Sequence, residues 1–464
     1  MGNKKPSPPN HMAIQWHDYV QQEGEQSILT ASLTAKASVV GRTGLMLLAC
    51  GTGAWRVRSS MNAMAAKLGL VCAADIGLTS LEYTCFDGEA GFSQTLTLTS
   101  TGVNTAKLNR LERFVEEFSM SDGSLSGEDL HIRLDEIEAL HGLYSTRRLA
   151  MAAALACGAF TFLLGGGPVE IALAFLGAGI GNSVRSMLTK RKYTLFLCVA
   201  LSVGAACLVY AGCLKGAELL FEVDPRHEAG YICAMLFIIP GFPFITSGID
   251  LAKQDMRSGL ERLAYAVMIV LVAALAAWLM ALLLGLTPVD FPPLDLSEGA
   301  KMLFRLIASF CGVFGFSLMF NSPIPLAAAA AGIGAVSNTL RLELVDLANL
   351  PPAAAAFLGA LTAGLLASAW KGWVGYPRIA ITVPSIVIMV PGLYFYRAVY
   401  NLGIMDLTTS ASWMASALLI VLALPLGLIF ARIMTDRRFR YSTQKNVLPP
   451  DREQDIFLRG VWIV

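Results

Sequence analysis

Two Pro-Gly pairs interrupt apolar stretches in this chain. Pro240-Gly241 lies within YICAMLFIIPGFPFITSGID and Pro391-Gly392 within ITVPSIVIMVPGLYFYRAVY. They are 151 residues apart (391 − 240), and the correspondence runs on: Phe244 falls opposite Phe395, Asp250 opposite Asn401, Asp255 opposite Asp406. Gly179-Ile180-Gly181 and Gly332-Ile333-Gly334 repeat at a similar spacing of 153 (332 − 179). Proline removes a backbone hydrogen bond and crowds the preceding turn. The glycine after it lets the chain unwind. The chain therefore reads as an internal duplication with a helix break in corresponding places, and broken spans in repeated halves point to a transport site.

The surroundings fit a membrane. Hydrophobic residues make up 55% of the chain and charged residues 15%, which excludes an ordinary soluble domain throughout. Charged runs such as RLERFVEEF and HIRLDEIEAL are confined to residues 1–146. From about 147 onward come apolar blocks of roughly 20 residues, enough to cross a hydrocarbon core of about 30 Å. Ten spans are predicted, at 147–165, 168–188, 194–213, 229–248, 259–286, 301–320, 323–341, 352–370, 379–399 and 411–433. Basic residues gather after the second span (Arg185, Lys190, Arg191, Lys192), after the fourth (Lys253, Arg257, Arg262) and in the C-terminal tail (Arg432, Arg437, Arg438, Arg440). Loops on the other side are acidic or neutral, with Glu218, Glu222, Asp224 and Glu228 after the third span and Asp290, Asp295 and Glu298 after the fifth. The positive-inside rule then places both termini in the cytoplasm. Five spans per half is an odd number, so the halves must be inverted. The expected fold is a polytopic α-helical membrane protein of ten spans, built as two inverted five-helix repeats over 147–286 and 301–433. A small cytoplasmic α+β domain over 25–146 precedes them, with a disordered tail over 1–24 and a cytoplasmic tail over 434–464.

Within the first domain, residues 25–69 read as helix with Gly69 as its stop. Three short strands follow in GLVCAAD, GLTSLEYTCF and GFSQTLTLTS. Two amphipathic helices then begin near VNTAKLNRLERFV and at Ser126, the N-cap of the second. Gly51-Thr52-Gly53 lacks the spacing and the preceding strand of a dinucleotide site, and no GxxxxGK[ST] is present. Nine cysteines occur singly, without CxxC or a histidine cluster, so no metal, cofactor or disulfide framework is expected. Nucleic acid is not an expected partner; small solute, protons and lipid are, and a homo-oligomer stays open.

The candidate transport residues cluster at the breaks. Pro240, Gly241 and a second break at Pro243 are followed by the hydroxyls of Thr246 and Ser247 and by Asp250 and Asp255. In the second half Pro384 precedes Pro391 and Gly392, and Tyr394 and Arg397 follow. A carboxylate inside a span is costly and marks proton or substrate paths, which makes Asp250 a candidate proton carrier. A solvated loop carboxylate is the alternative. Arg397 could pair with a substrate carboxylate or snorkel to the surface. Asn182 and Asn338, beside the small-residue runs, read as interhelical glue or as cavity lining. Glu170, beside Gly165-Gly166-Gly167-Pro168, is expected at the outer surface.

The order of parts resembles the threonine/serine exporter family, through LLACGTGAWRVRSSMNAMAAKLGL, VNTAKLNRLERFV and above all PGFPFITSGIDLAKQDMRSGLERLAYA. The last is similar to that family's fourth-span signature at Pro240, Gly241, Asp250, Gly259 and Arg262. VPSIVIMVPGLYFYRA looks like its second module, and Trp55 and Arg58 depart from its pattern. The resemblance implies a secondary transporter, not an enzyme. It would export threonine and serine across the bacterial inner membrane by proton antiport. Relatives with the two modules on separate chains are thought to export succinate, which makes a dicarboxylate the alternative cargo. A membrane-anchored hydrolase and a metabolite sensor are the readings from other classes.

Overall fold

A computed structural model describes residues 13–221, 225–291, 294–374 and 376–440. Glu222 and Asp224 of the expected acidic loop, the start of the N-terminal tail and most of the C-terminal tail lie outside these. Contacts divide the chain into two compact units, parted between His141 and Gly142.

In the first unit the expected long helix is two helices, α1 (Leu33–Ala49) and α2 (Ala54–Lys67). Gly51 causes the division. Its φ is +81°, and a side chain there would run into the Gly102 carbonyl, 2.6 Å from the Cβ position. Only glycine takes that backbone comfortably. The three strands form as expected: β1 (Val71–Ile76), β2 (Ser80–Phe86) and β3 (Gly91–Thr97), antiparallel in the order β1-β2-β3. Leu81, Tyr83 and Cys85 alternate inward along β2, and the Tyr83 hydroxyl donates to Ala37 O of α1 (3.0 Å). Helices α3 (Thr105–Met120) and α4 (Gly127–Ala139) complete the unit, and Ser126 caps α4 in a reciprocal capping box with Asp129.

Part of the segment expected as a disordered tail is built into this unit. Trp16–Tyr19 form a 3-10 turn, Trp16 stacks on His131 of α4, and His17 bridges Glu128 and Asp135 (2.8 Å each). His131 is fully buried against Ser38 and Arg42. Burial, with Arg42 adding to it, lowers its pKa to about 3. His17 shifts the other way, chiefly through its hydrogen bond to Asp135.

The second unit is all helix: α5 (Thr146–Leu163), α6 (Pro168–Lys190), α7 (Leu195–Phe221), the short α8 (Tyr231–Ala234), α9 (Gly241–Ala252), α10 (Met256–Leu284), α11 (Glu298–Met319), α12 (Ile324–Asp346), α13 (Pro352–Val374), α14 (Arg378–Ile386), α15 (Gly392–Gly403) and α16 (Leu407–Thr435). Among the described residues, α6, α7, α10, α11, α13 and α16 are long and apolar enough to cross a membrane. Two bent pairs raise the number to eight: Tyr231–Ile238 with Gly241–Ala252, bent by 54°, and Arg378–Met389 with Gly392–Gly403, bent by 43°. Helices α5 and α12 occupy the expected first and seventh positions but fall short of that test; α5 opens on Arg147-Arg148, and α12 closes with Arg341, Glu343 and Asp346. Arg185 and Lys190 belong to α6 rather than to the loop expected there. Outward faces carry leucines at helical spacing, such as Leu271, Leu275, Leu279 and Leu282 on α10 and Leu418, Leu422 and Leu426 on α16, all exposed. Exposed apolar surface on that scale is what lipid covers.

Backbone features recur at the spacing of the two Pro-Gly pairs. Gln254 and Met405, 151 residues apart (405 − 254), are non-glycine residues at φ 63° and 65°. Each precedes an aspartate whose amide reaches back five residues, Asp255 N to Asp250 O (3.0 Å) and Asp406 N to Asn401 O (2.9 Å). Near the front of each half the offset is 156 instead. α6 and α12 start at 168 and 324, and Gly166 N to Thr161 O (2.8 Å) matches Ser322 N to Ser317 O (3.0 Å). The two Gly-Ile-Gly motifs, at 153, are thus three residues out of structural register. That is close to one helical turn, so they still share a face. The loss of about five residues falls between α13 and α14, where the second half needs only a short link and the first carries residues 222–230.

Candidate functional site

The two breaks have the same local geometry. Pro240 (φ −82°, ψ 62°) and Pro391 (φ −83°, ψ 57°) each centre an inverse γ-turn, closed by Gly241 N to Ile239 O and by Gly392 N to Val390 O (2.9 Å each). The breaks also touch. A Cβ on Gly241 would lie 2.5 Å from Val387 Cγ2, and one on Gly392 would lie 2.9 Å from Ile239 Cγ1 and 3.0 Å from Leu236 Cδ2. Each glycine is therefore the notch into which the other broken helix fits. Phe244 and Phe395 stack beyond the crossing with ring centres 5.6 Å apart. A small apolar cavity lined by Phe160, Leu236, Ile239, Phe316, Val387 and Val390 lies at the crossing itself. The centre is closed and apolar.

The hydroxyls expected to serve a solute are turned inward on their own helix. Thr246 donates to Phe242 O (3.0 Å) and Ser247 to Phe244 O (2.9 Å). Pro243 does not make the expected second break, because it sits in the first turn of α9, where proline is tolerated. Pro384 does lie inside α14, which passes into a 3-10 turn at Val387–Met389.

Polar groups gather away from the crossing. On the α9–α10 side Asp250 is fully buried and its Oδ2 accepts from Ser258 Oγ (2.9 Å) and lies 3.2 Å from Arg262 Nε. Ser258 joins the two, accepting from Arg262 Nε (3.1 Å). The solvated-loop alternative for Asp250 is excluded by this burial. Asp255 stands at the N-cap of α10 instead. On the α15–α16 side Arg397 is also buried; its Nη2 donates to Asp290 (2.7 Å) and its guanidinium lies 4.8 Å over the Trp413 ring. Tyr394 packs edge-on against the same ring (5.1 Å). Asp290, which Arg397 reaches, is largely exposed, and Arg397 Nε has no hydrogen-bond partner among the described residues. Asn182 donates to Leu149 O (3.0 Å) and Asn338 to Ser309 Oγ (2.8 Å), each the fifteenth residue of its helix. Both tie helices together, and Asn338 also accepts from Arg341 Nε (3.0 Å).

Three features escaped sequence reasoning. Glu170 is fully buried rather than at the surface; it accepts from Gly167 N (2.9 Å) and lies 2.5 Å from His227 Nδ1. Tyr231 and Tyr396 meet hydroxyl to hydroxyl at 2.5 Å across the two halves. Ser258 completes the Asp250 pair. The carboxylate three residues after Gly167 has capping-box spacing, a signal that could have drawn Glu170 inward. Nothing in the chain text pairs positions 170 and 227. Among the described residues no group of three His, Cys, Asp or Glu could hold a metal ion. Gly51-Thr52-Gly53 joins two helices rather than a strand and a helix, so it is not a dinucleotide turn.

A family model described as "Putative threonine/serine exporter" matches residues 38–285, and one described as "Threonine/Serine exporter, ThrE" matches residues 305–434. The chain is similar to a "Probable threonine/serine exporter" of Mycobacterium tuberculosis, 25% identical over 311 residues, covering 65% of this chain and 57% of the relative. It is also similar to an "Uncharacterized protein" of Haemophilus influenzae, 27% identical over 182 residues, covering 33% of this chain and 59% of the relative. The chain thus spans less than two thirds of the length of either. No solved structure matches. Neither relative is named for a dicarboxylate, which leaves the succinate alternative without support.

Proposed function

The chain belongs to the threonine/serine exporter family, and from that premise we propose that it moves threonine and serine outward across a bacterial inner membrane, driven by protons entering. The observation that carries the reading is the crossing of two matched broken helices, with buried charge on either side of a closed apolar centre. In a secondary transporter a polar solute is held near the bilayer midplane at the repeat interface, and the halves rock around it. The crossing of Gly241 and Gly392 is then the barrier, and opening it alternately toward each side is the transport cycle.

Ten spans give the inversion this cycle needs. The six apolar helices and two bent pairs supply eight, and α5 and α12 supply the others as small-residue helices packed inside the bundle rather than against lipid. Arg397 is the group suited to a substrate carboxylate, since its Nε points into buried space without a partner among the described residues. The remaining sequence candidates act by shaping that space: Pro240, Pro384 and Pro391 set the breaks, and Asn182, Asn338 and the Asp250–Arg262 pair fix helices around it. A potential of 100 mV supplies about 2.3 kcal/mol per charge moved, enough for a substantial outward gradient. Cells fed threonine-containing dipeptides provide the test. Expression of this chain should relieve growth inhibition and speed release of labelled threonine; no change in either would end the reading.

A further inference from the structure

Glu170 and His227 form a buried acid–imidazole pair that the two halves do not share. At the 156-residue offset the position matching Glu170 is Leu326, also fully buried. His227 lies in the 222–230 segment, the stretch for which the second half has no equivalent length. One half therefore carries a titratable pair where its partner carries apolar packing. Asp250, the other fully buried carboxylate among the described residues, is differently held. It faces the guanidinium of Arg262, which does not give up its charge, so a proton on Asp250 would weaken a buried ion pair. An imidazole nitrogen, unlike a guanidinium, can either hold a proton or present a lone pair.

We propose that the Glu170–His227 pair is the proton-binding site that couples this transporter to the proton gradient, a proposal that rests on the exporter reading above. The geometry gives each atom a task. Glu170 Oε2 is occupied by the Gly167 amide, and Oε1 faces His227 Nδ1. With Nδ1–H donating to the carboxylate, the lone pair of Nε2 is the one left to take a proton from water, and the His227 side chain, unlike Glu170, is 16% exposed. Binding one proton at Nε2 changes the charge of the pair from −1 to zero and breaks no other bond. Around it, Tyr210 of α7 donates to His227 O (2.7 Å), and Cys157 of α5 and Cys233 of α8 are buried. Four residues after His227, the Tyr231 hydroxyl meets that of Tyr396 at 2.5 Å, and Tyr396 immediately precedes Arg397, so the segment that carries the pair is bonded to the helix that carries the arginine. Farther along α7, Lys215 and Glu218 bond to one another. A proton arriving at the pair thus acts on a segment tied to the Arg397 helix as the solute leaves.

Glu170 also serves as a helix cap, and the test must separate the two roles. Glu170→Gln keeps an oxygen to accept from Gly167 but cannot ionise. His227→Gln removes the imidazole. In proteoliposomes loaded with labelled threonine, efflux driven by an imposed pH gradient should fall at least ten-fold in both variants, with thermal unfolding temperatures close to the parent's. Undiminished gradient-driven efflux in Glu170→Gln would reduce Glu170 to a cap and overturn the proposal. Infrared difference spectra of the purified protein between alkaline and acidic buffer read the titration directly, without transport. A carboxyl or imidazole signal lost in Glu170→Gln is expected. Its absence from the parent overturns the proposal even where threonine moves, whereas its presence with no threonine flux would fault the exporter reading alone.

Discussion

Asp250 and Arg262 hold opposite charges where water does not reach, and removing one partner takes a close counter-charge from the other. Asp250→Ala should therefore cost about 3–5 kcal/mol, and adding Arg262→Met should restore much of that loss. Thermal unfolding in detergent checks it; an equal loss in single and double variants would show that the pair is not coupled. Glycine at the crossing is set by sterics rather than by φ. Gly392→Ala would press a methyl against Ile239 and Leu236, an overpacking cost of about 1–3 kcal/mol. Of these residues Asp250, Arg262 and Gly392 were legible in the chain text, because charge and glycine inside apolar runs are rare enough to stand out. Ser258 and His227 were not. Their partners lie 8 and 57 residues away, and no local pattern announces them.

At the scale of elements, the two Pro-Gly breaks, the three strands and the Ser126 cap follow local rules and were read correctly, whereas the break expected at Pro243 does not form. The division of α1 from α2 was missed because the glycine that causes it answers to a distant carbonyl, that of Gly102. Gly51→Ala is expected to destabilise the first unit by more than 1 kcal/mol, roughly the cost of a left-handed non-glycine residue, as a lowered unfolding temperature of that unit would show. The Trp16–Tyr19 turn is tied down through His17, whose pKa is raised chiefly by its hydrogen bond to Asp135. A raised pKa means that the protonated form belongs to the folded state. The tether is at full strength below the ordinary histidine range, near pH 6.5, and weakens as pH climbs through the elevated value. Protection of the amides in residues 16–19, taken relative to the intrinsic exchange rate at each pH, should fall over that window; constant protection would mean the turn is held by packing alone.

At the scale of the whole membrane unit, the transport cycle requires the crossed breaks to part. Ile239→Cys with Val390→Cys, joined by a short thiol-reactive linker in a background without other cysteines, should arrest threonine flux until the linker is cleaved; continued flux would show that the crossing is not the barrier. Inversion of the halves predicts that Gln254→Cys and Met405→Cys react with impermeant reagent from opposite sides of the membrane. Apolar length, the distribution of lysine and arginine, and two proline breaks sufficed to determine the class of molecule and the places where its helices fail, because burial in lipid and loss of a backbone donor act residue by residue. Tertiary structure alone decided that the two breaks interlock through their glycines, that the Gly-Ile-Gly motifs slip by three residues, and that Glu170 turns inward to His227. Those outcomes depend on which helices pack together, and a linear text carries no record of the space between them.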